Sequence, residues 1–336
     1  MKVGFLRYEY FPAKIARCLA ALASLYEVDF FYFNPESVDV KNKKIKGIFF
    51  KKGEYIELET SYPDVIDDPH NFSVKYKELY NHLSNYCFFT FTRIKGKSKL
   101  FDILGGNEEG KRYLIETFKY EDVLIDDVLE KYRKVIVKPI KGRQGREIYK
   151  INKEGDFYVV QLKNEIRRLS EADFSKQYSD IFPDSYIIQR YVHSQTNAGN
   201  PFDIRIYAGR SKNGEWKLVK LLPRIGNINV VTSNISQGGS ICKIKDFLQY
   251  EFEDDWKRIY NNLVSIFNTV PDLVQNKYEK IIDALGIDTG IDRGNNSELK
   301  IFEVNTFPGS STFEFEAAEA KIQYYVYLSE TLPLRS

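Results

Sequence analysis

Asp288, Glu303 and Asn305 are the residues whose types and spacing most directly promise chemistry. Residues 288–291 and 300–305 alternate apolar and polar side chains, as a strand with one buried face does. A polar turn, Asp292 to Glu298, separates them. Glu303 and Asn305 are two apart and share a face of their strand. An antiparallel neighbour would bring Asp288 beside them. Two carboxylates and an amide oxygen form a hard, all-oxygen set suited to Mg²⁺. The bland alternative is a surface hairpin that happens to carry acids. Residues 305–309, Asn-Thr-Phe-Pro-Gly, then turn the chain sharply.

A second constellation lies upstream. The apolar strand 135–138 ends in Lys138, and the loop Lys141-Gly142-Arg143-Gln144-Gly145-Arg146 follows Pro139 and Ile140. A returning strand is expected from Glu147 to Ile151. Glycines let backbone N–H groups approach phosphate oxygens, and Lys138 and the loop cations oppose their charge. No Gly-Lys-Ser/Thr follows, so the loop is not a Walker A sequence. Alone, Gly-x-x-Gly is an ordinary turn. Paired with a distal magnesium set, it points to a polyphosphate.

With these motifs the chain resembles ATP-grasp proteins, most closely the endospore coat-associated YheC/YheD-type branch. The matching segments run in order from Lys97 to Gly309: 97–104, 137–139 with the glycine loop, 187–192, 202–206, 223–226, 233–239 and 303–309. Asp-Ile-Arg at 203–205, Arg-Ile-Gly at 224–226 and Asn-x-x-x-Gly-Gly at 234–239 are the specific elements. Tyr62 to Ile66 adds a weaker match. The resemblance implies an α/β chain of α+β lobes, with an ATP-grasp fold behind an N-terminal Rossmann-like pre-ATP-grasp domain.

The resemblance also assigns roles. Lys138 would contact the ATP phosphates and the adenine edge, and Lys97 or Lys99 would supply a second cation to the phosphates, with Gly142, Gln144 and Gly145 covering them. The family has aspartate where this chain has Gly96. Gln189, Tyr191 and Val192 would read adenine, Gln189 accepting through its amide oxygen where relatives often have glutamate. Arg205 and Arg224 lie on strands with apolar neighbours, and an arginine fork suits a phosphate or acyl phosphate. The alternative for both is a salt bridge, to Asp203 or Glu303. Asn234 and Gly239 belong to a polar turn that would hold the acceptor or the moving phosphoryl group. Relatives often carry arginine where this chain has Gln237. Asp288, Glu303 and Asn305 would bind Mg²⁺.

The implied activity is ATP-dependent joining of a carboxylate to an amine through an acyl phosphate, releasing ADP and phosphate. No protein nucleophile is needed, and no Ser-His-Asp or Cys-His arrangement is evident. The alternatives are a kinase-like transfer to a hydroxyl, and a low-turnover coat- or envelope-associated nucleotide-binding protein. Candidate substrates are a small molecule, peptide or saccharide carboxylate and an amine.

Composition narrows the class. The chain has 336 residues, 43% hydrophobic and 15% aromatic, enough for two or three compact units. Its formal charge of +2 implies no bulk polyanion, so no nucleic acid is expected. Cys18, Cys87 and Cys242 are dispersed, which disfavours disulfides and zinc and favours a reducing cytoplasm. No signal peptide or membrane insertion is expected, because residues 3–6 read as a strand and no long apolar run occurs.

Three units are expected: an N-terminal α/β domain over 1–95, a small ATP-binding lobe over 96–192 and a large lobe with the Mg²⁺ site over 193–336. In the first, strands at 3–6 and 28–33 flank a helix over 13–24, and a hairpin pairs 45–50 with 55–58. No Gly-x-Gly-x-x-Gly is present, so dinucleotide binding is not supported. Helices are expected over 72–83, 98–104, 108–115, 122–132, 171–177 and 313–328, with 246–285 largely helical. Strands are expected at 87–91, 135–138, 147–151, 157–162, 186–190, 203–208 and 218–223. Leu263, Ile266, Phe267, Val270 and Val274 recur at helical spacing and read as core.

Overall fold

The computed structural model describes residues 1–9, 12, 14–68, 74–90, 98–140, 147–163, 165–178, 185–227 and 239–331. Three sheets organise them.

The first sheet comprises β1 (Lys2–Leu6), β2 (Asp29–Phe33), β3 (Val38–Asp39), β4 (Lys44–Lys51), β5 (Glu54–Ser61), β6 (Val65–Asp67) and β7 (Phe88–Phe89). Its order is β3-β4-β2-β1-β6-β7, and β5 pairs with β4. Strands β2, β1, β6 and β7 run parallel, as the strand–helix–strand reading requires. The crossover α1 (Lys14–Leu25) buries Ala16, Leu19, Leu22 and Ala23 at helical spacing. A second helix, α2 (Lys77–Leu83), is shorter than expected, and residues 72 and 73 lie outside the described set.

Next come α3 (Ser98–Gly105) and α4 (Glu108–Lys111). The latter is capped by Asn107, whose Oδ1 accepts from Gly110 N at 3.0 Å, and stops four residues short of the predicted end. The second sheet is antiparallel throughout, in the order β12-β11-β10-β9-β13-β8. Its elements are β8 (Thr117–Lys119), α5 (Ile125–Tyr132), β9 (Lys134–Pro139), β10 (Tyr149–Glu154), β11 (Phe157–Leu162), β12 (Glu165–Ser170), α6 (Glu171–Tyr178) and β13 (Tyr186–Arg190). Val135, Val137, Ile151, Val160 and Ile188 face α5 and α6, which contribute Val128, Leu129 and Phe174. The other face therefore carries Lys134, Ile136, Lys138, Lys150, Asn152, Gln161 and Gln189.

The third sheet, β16-β15-β14-β17-β18, is built from β14 (Phe202–Arg210), β15 (Trp216–Ile225), β16 (Ser240–Ile241), β17 (Ala284–Asp292) and β18 (Glu298–Asn305). Its apolar face packs under α7 (Ile244–Phe252) and α8 (Trp256–Gln275), where Leu263, Ile266, Val270 and Val274 form the predicted stripe. Ile103, Leu104 and Tyr113 join this core, so α3 packs on the third sheet. Helical structure was expected through Leu285. Instead α8 ends at Gln275 and Ala284 opens β17, a strand buried along its whole length. Near-continuous burial removes the alternation that marks a strand. Asp288 accordingly sits inside its strand and does not open it.

The last helix, α9 (Glu314–Thr331), is shared. Ala317 packs with Tyr207, Leu222 and Ala284 of the third sheet. Ala318, Ile322, Tyr325 and Leu328 pack with Val3, Phe5, Leu19 and Leu22 of the first unit. Among the described residues no helix is long and apolar enough to cross a membrane.

Candidate active site

The polar end of the third sheet's second face is assembled by strand register. Arg205 of β14 is the partner of Asp288 of β17. Asp203 of β14 is the partner of Arg224 of β15, and Asp288 that of Glu303 of β18. Directly opposed residues share a face and touch, so these five side chains and Asn305 converge.

One backbone irregularity makes this possible. The β17–β18 register shifts between Asp288 and Thr289, which pair with Glu303 and Ile301 respectively. Phe302 is the extra residue of a bulge. Its ring lies over Gly290, where a Cβ would stand 2.2 Å from Phe302 Cζ. Unbulged pairing would set Glu303 opposite Ile287, which belongs to the apolar core. Simple alternation predicted that Glu303 and Asn305 share a face, but gave no hint of the bulge that puts Glu303 across from Asp288. Past β18 the chain folds back, and a Cβ at Gly286 would meet Pro308 Cβ at 2.7 Å.

The arginines are tied to carboxylates. Arg205 donates from Nε and Nη2 to the two oxygens of Asp288, each at 2.7 Å. Arg224 grips Asp203 at 2.6 and 2.7 Å and reaches Asp288 Oδ1 at 3.0 Å. The expected salt-bridge partners were Asp203 or Glu303. Asp203 takes Arg224, and Asp288 takes Arg205. Burial pushes the Asp288 carboxyl up, but Arg205 and then Arg224 outweigh it and hold the group below the usual carboxylate range. Burial likewise lowers Arg224, and Asp288 and Asp203 more than reverse this. The formal charges of Asp203, Arg205, Arg224 and Asp288 cancel; the half-buried Glu303 adds one negative charge beside them.

Among the described residues, no group of three or more His, Cys, Asp or Glu is gathered to hold a metal. A magnesium set here has two carboxylates, Asp288 and Glu303, and the amide of Asn305. Its all-oxygen chemistry fits the ion, and the added charge of Glu303 fits a cation better than an anion. Gly239 directly precedes β16, whose Ile241 is the register partner of Arg224. Asn234 lies outside the described residues, as do Lys97, Gly142, Gln144 and Gly145.

The second sheet carries the other predicted residues. Lys138 is half-buried on β9, paired in register with Ile187. Gln189 is buried, and its amide nitrogen donates to Thr117 Oγ1 at 2.8 Å. Tyr191 N donates to Lys134 O at 3.2 Å, and Val192 is buried. Burial, and then Asp292, push the Tyr191 phenol up to about 12.

Sequence reasoning missed the tie between the two sheets. Arg190 of β13 donates to the buried Asp292 at 2.6 Å, and Asp292 Oδ1 also accepts from His193 N at 3.1 Å and Gly294 N at 3.2 Å. By sequence Asp292 reads as the first residue of the polar turn 292–298. Only its burial, invisible to composition, distinguishes it. Lys150 was also passed over, because a lysine in a strand reads as solvent-facing.

A model of YheC/D-like ATP-grasp proteins matches residues 85–330. The chain belongs to the YheC/D-like ATP-grasp family. Endospore coat-associated protein YheD of Bacillus subtilis (strain 168) is 25% identical over 222 residues, covering 62% of this chain and 48% of the relative. The chain thus spans about half the length of the curated relative it matches. Among solved structures, N5-carboxyaminoimidazole synthetase from Staphylococcus aureus complexed with ADP aligns at a TM-score of 0.51 and 13% identity, over 96% of this chain and 77% of that one. A second structure of the Staphylococcus aureus enzyme aligns at a TM-score of 0.50 with equal identity and coverage. At this identity the likeness concerns the fold, and it agrees with the ATP-grasp assignment. In this family member, Asp-Ile-Arg lies on β14, Arg-Ile-Gly at the end of the neighbouring β15, and Glu-Val-Asn on β18 of the same sheet, with β17 between β14 and β18.

Proposed function

We propose that this ATP-grasp protein is an ATP-dependent carboxylate–amine ligase. The observation that supports this best is the convergence of two arginine forks, Asp288, Glu303 and Asn305 on one sheet face. The proposed organisation has a substrate-side N-terminal unit over 1–95, an ATP-binding lobe over 96–192 and a metal-bearing lobe over 193–336. Lys138, with Lys97 and the loop residues Gly142, Gln144 and Gly145, holds the phosphates. Gln189, Tyr191 and Val192 hold the base. Asp288, Glu303 and Asn305 hold Mg²⁺, which when bound would neutralise phosphate charge.

A carboxylate oxygen attacks the γ-phosphorus, and the bond to the β–γ bridging oxygen breaks, releasing ADP. Arg205 and Arg224 stabilise the charge that spreads over the moving group. The amine then attacks the acyl carbon, phosphate leaves with the bonding electrons, and the amine proton passes to phosphate or water. Asn234 and Gly239 belong to the turn that positions the acceptor. Buried forks of fixed geometry suit such chemistry, because they need little reorganisation as charge develops.

Forked arginines give Asp288 a second task in this scheme: it holds Arg205 and Arg224 in place. The test is a screen of paired carboxylates and amines with Mg²⁺-ATP, read by mass spectrometry. ADP, phosphate and an amide are expected. ADP with a phosphoester would make the protein a kinase, and nucleotide binding without ADP would make it a sensor.

A further inference from the structure

Lys150 is a half-buried lysine that the scheme above leaves unused. Three other half-buried lysines answer to carboxylates: Lys153 to Asp126 at 2.7 Å, Lys220 to Glu316 at 2.6 Å, Lys321 to Asp67 at 2.8 Å. Among the described residues, no carboxylate lies within ion-pair distance of Lys150; its recorded contact is the Tyr191 ring, 5.3 Å from Nζ to centroid. Outside the described residues the sequence holds only two acidic side chains, Asp180 and Asp184. The glycine loop 141–146 holds none.

Its position is informative. Lys150 of β10 is the register partner of Ile136, two residues before Lys138 on β9. Lys138 and Lys150 are therefore diagonal neighbours on the face turned away from α5 and α6. Lys134 shares that face, and its charge works with burial to lower the Lys150 ammonium below the usual lysine range. Burying a cation without a partner, beside other cations, costs free energy. Natural proteins carry such costs where a ligand will supply the missing charge.

We propose that Lys150 is a phosphate ligand of the bound nucleotide, forming with Lys138 a two-lysine floor beneath the phosphate chain. This rests on the nucleotide-binding reading. The rival role is structural, with the ammonium serving only to pack over Tyr191.

Calorimetry on the full chain with Mg²⁺ separates the two, using adenosine, AMP, ADP and a non-hydrolysable ATP analogue. Lys150→Met should weaken ADP and the ATP analogue by about 10- to 100-fold, as loss of a charged hydrogen bond does, and leave adenosine unchanged. Lys150→Arg should recover most of the loss. The unliganded Lys150→Met protein should melt at the same temperature as wild type or higher. ADP binding by wild type should take up protons on the alkaline side of neutrality, more as pH rises, seen across buffers of different ionisation heat, as phosphate restores a lysine lowered by burial and Lys134. Lys150→Met should lose that uptake, although Lys134, Lys138 and Tyr191 still face the site. Equal weakening of adenosine and ADP, or unchanged affinity for all four ligands, would overturn the assignment. If wild type binds none of them, the nucleotide reading itself fails, and this inference with it.

Discussion

Two buried charge clusters in this molecule have the same inventory and different surroundings. In the third sheet, Asp203 and Asp288 meet Arg205 and Arg224. At the junction of the first unit, α9 and the third sheet, Asp67 and Asp283 meet Arg7 and Lys321, with ion-pair distances of 2.8, 2.8 and 3.1 Å. Tyr325 donates a further short hydrogen bond to Asp67. Each cluster holds two carboxylates and two cations. The junction is sealed among α9 side chains, whereas the sheet cluster continues into Glu303 and Asn305 at a strand end. Burial and pairing are thus common to both. What marks the sheet cluster as a candidate site is its run-on into oxygen-bearing side chains that are only half-buried.

The comparison breaks most sharply at Lys321. Lys321→Met leaves Asp67 and Asp283 together in a buried setting, which should cost about 3–5 kcal/mol of stability. Denaturant unfolding should show that loss, while turnover per folded molecule stays within about twofold. A variant that keeps its stability but loses turnover would reverse the roles of the two clusters. Glu303→Gln is the converse. It keeps the shape and removes one negative charge, so ATP turnover should fall about 10²- to 10³-fold, with melting almost unchanged. Near-normal turnover of the folded variant across a Mg²⁺ titration would sink the metal assignment.

Arg224→Lys makes a smaller cut. It preserves the charge and removes the planar fork that spans Asp203 and Asp288. Turnover should drop about 10-fold, with nucleotide affinity held. A parallel loss of both would make Arg224 a ground-state ATP ligand.

The finest test is pH. Burial pushes Asp67 up, but Lys321 and Arg7 together hold it below the usual carboxylate range, so its contribution is present above about pH 3.9 and is lost as pH falls further. Asp283 is raised by burial, with Lys321 opposing. Its protonated form is favoured in the fold, so stability rises as pH falls through that raised value toward about 3.9. Asp283→Asn should abolish the mild-acid gain, and Asp67→Asn should soften the strong-acid loss, each by on the order of 1 kcal/mol. Melting temperatures of each variant minus wild type, from pH 7 to 3, would show both. Identical acid limbs in all three proteins would contradict the signs.

The same contrast explains what the sequence could show. The sheet cluster comes from residues in short strand segments, where alternation and an Asp-x-Arg spacing fix the face. Glu303 with Asn305, and Asp203 with Arg205, could therefore be read as sharing a face, whereas the bulged pairing that sets Asp288 across from Glu303 could not. Asp67 and Lys321 lie 254 positions apart, and no local pattern joins a strand end to a distant helix. Strand β12 was missed for another reason: its residues are exposed or half-buried, so no apolar alternation announces it. The crossover α1 and strands β11 and β13 were legible because each buries one clear stripe or face.

Helix α9 bears on how the chain comes to be folded at all. Its residues complete the core under β1, yet they are made long after β1 leaves the ribosome. At about 5–20 residues per second, Val3, Phe5, Leu19 and Leu22 wait tens of seconds for Ile322 and Leu328. Until then an apolar face that the finished protein hides stands open to every other nascent chain. During synthesis the first unit therefore presents apolar surface that only the last helix covers.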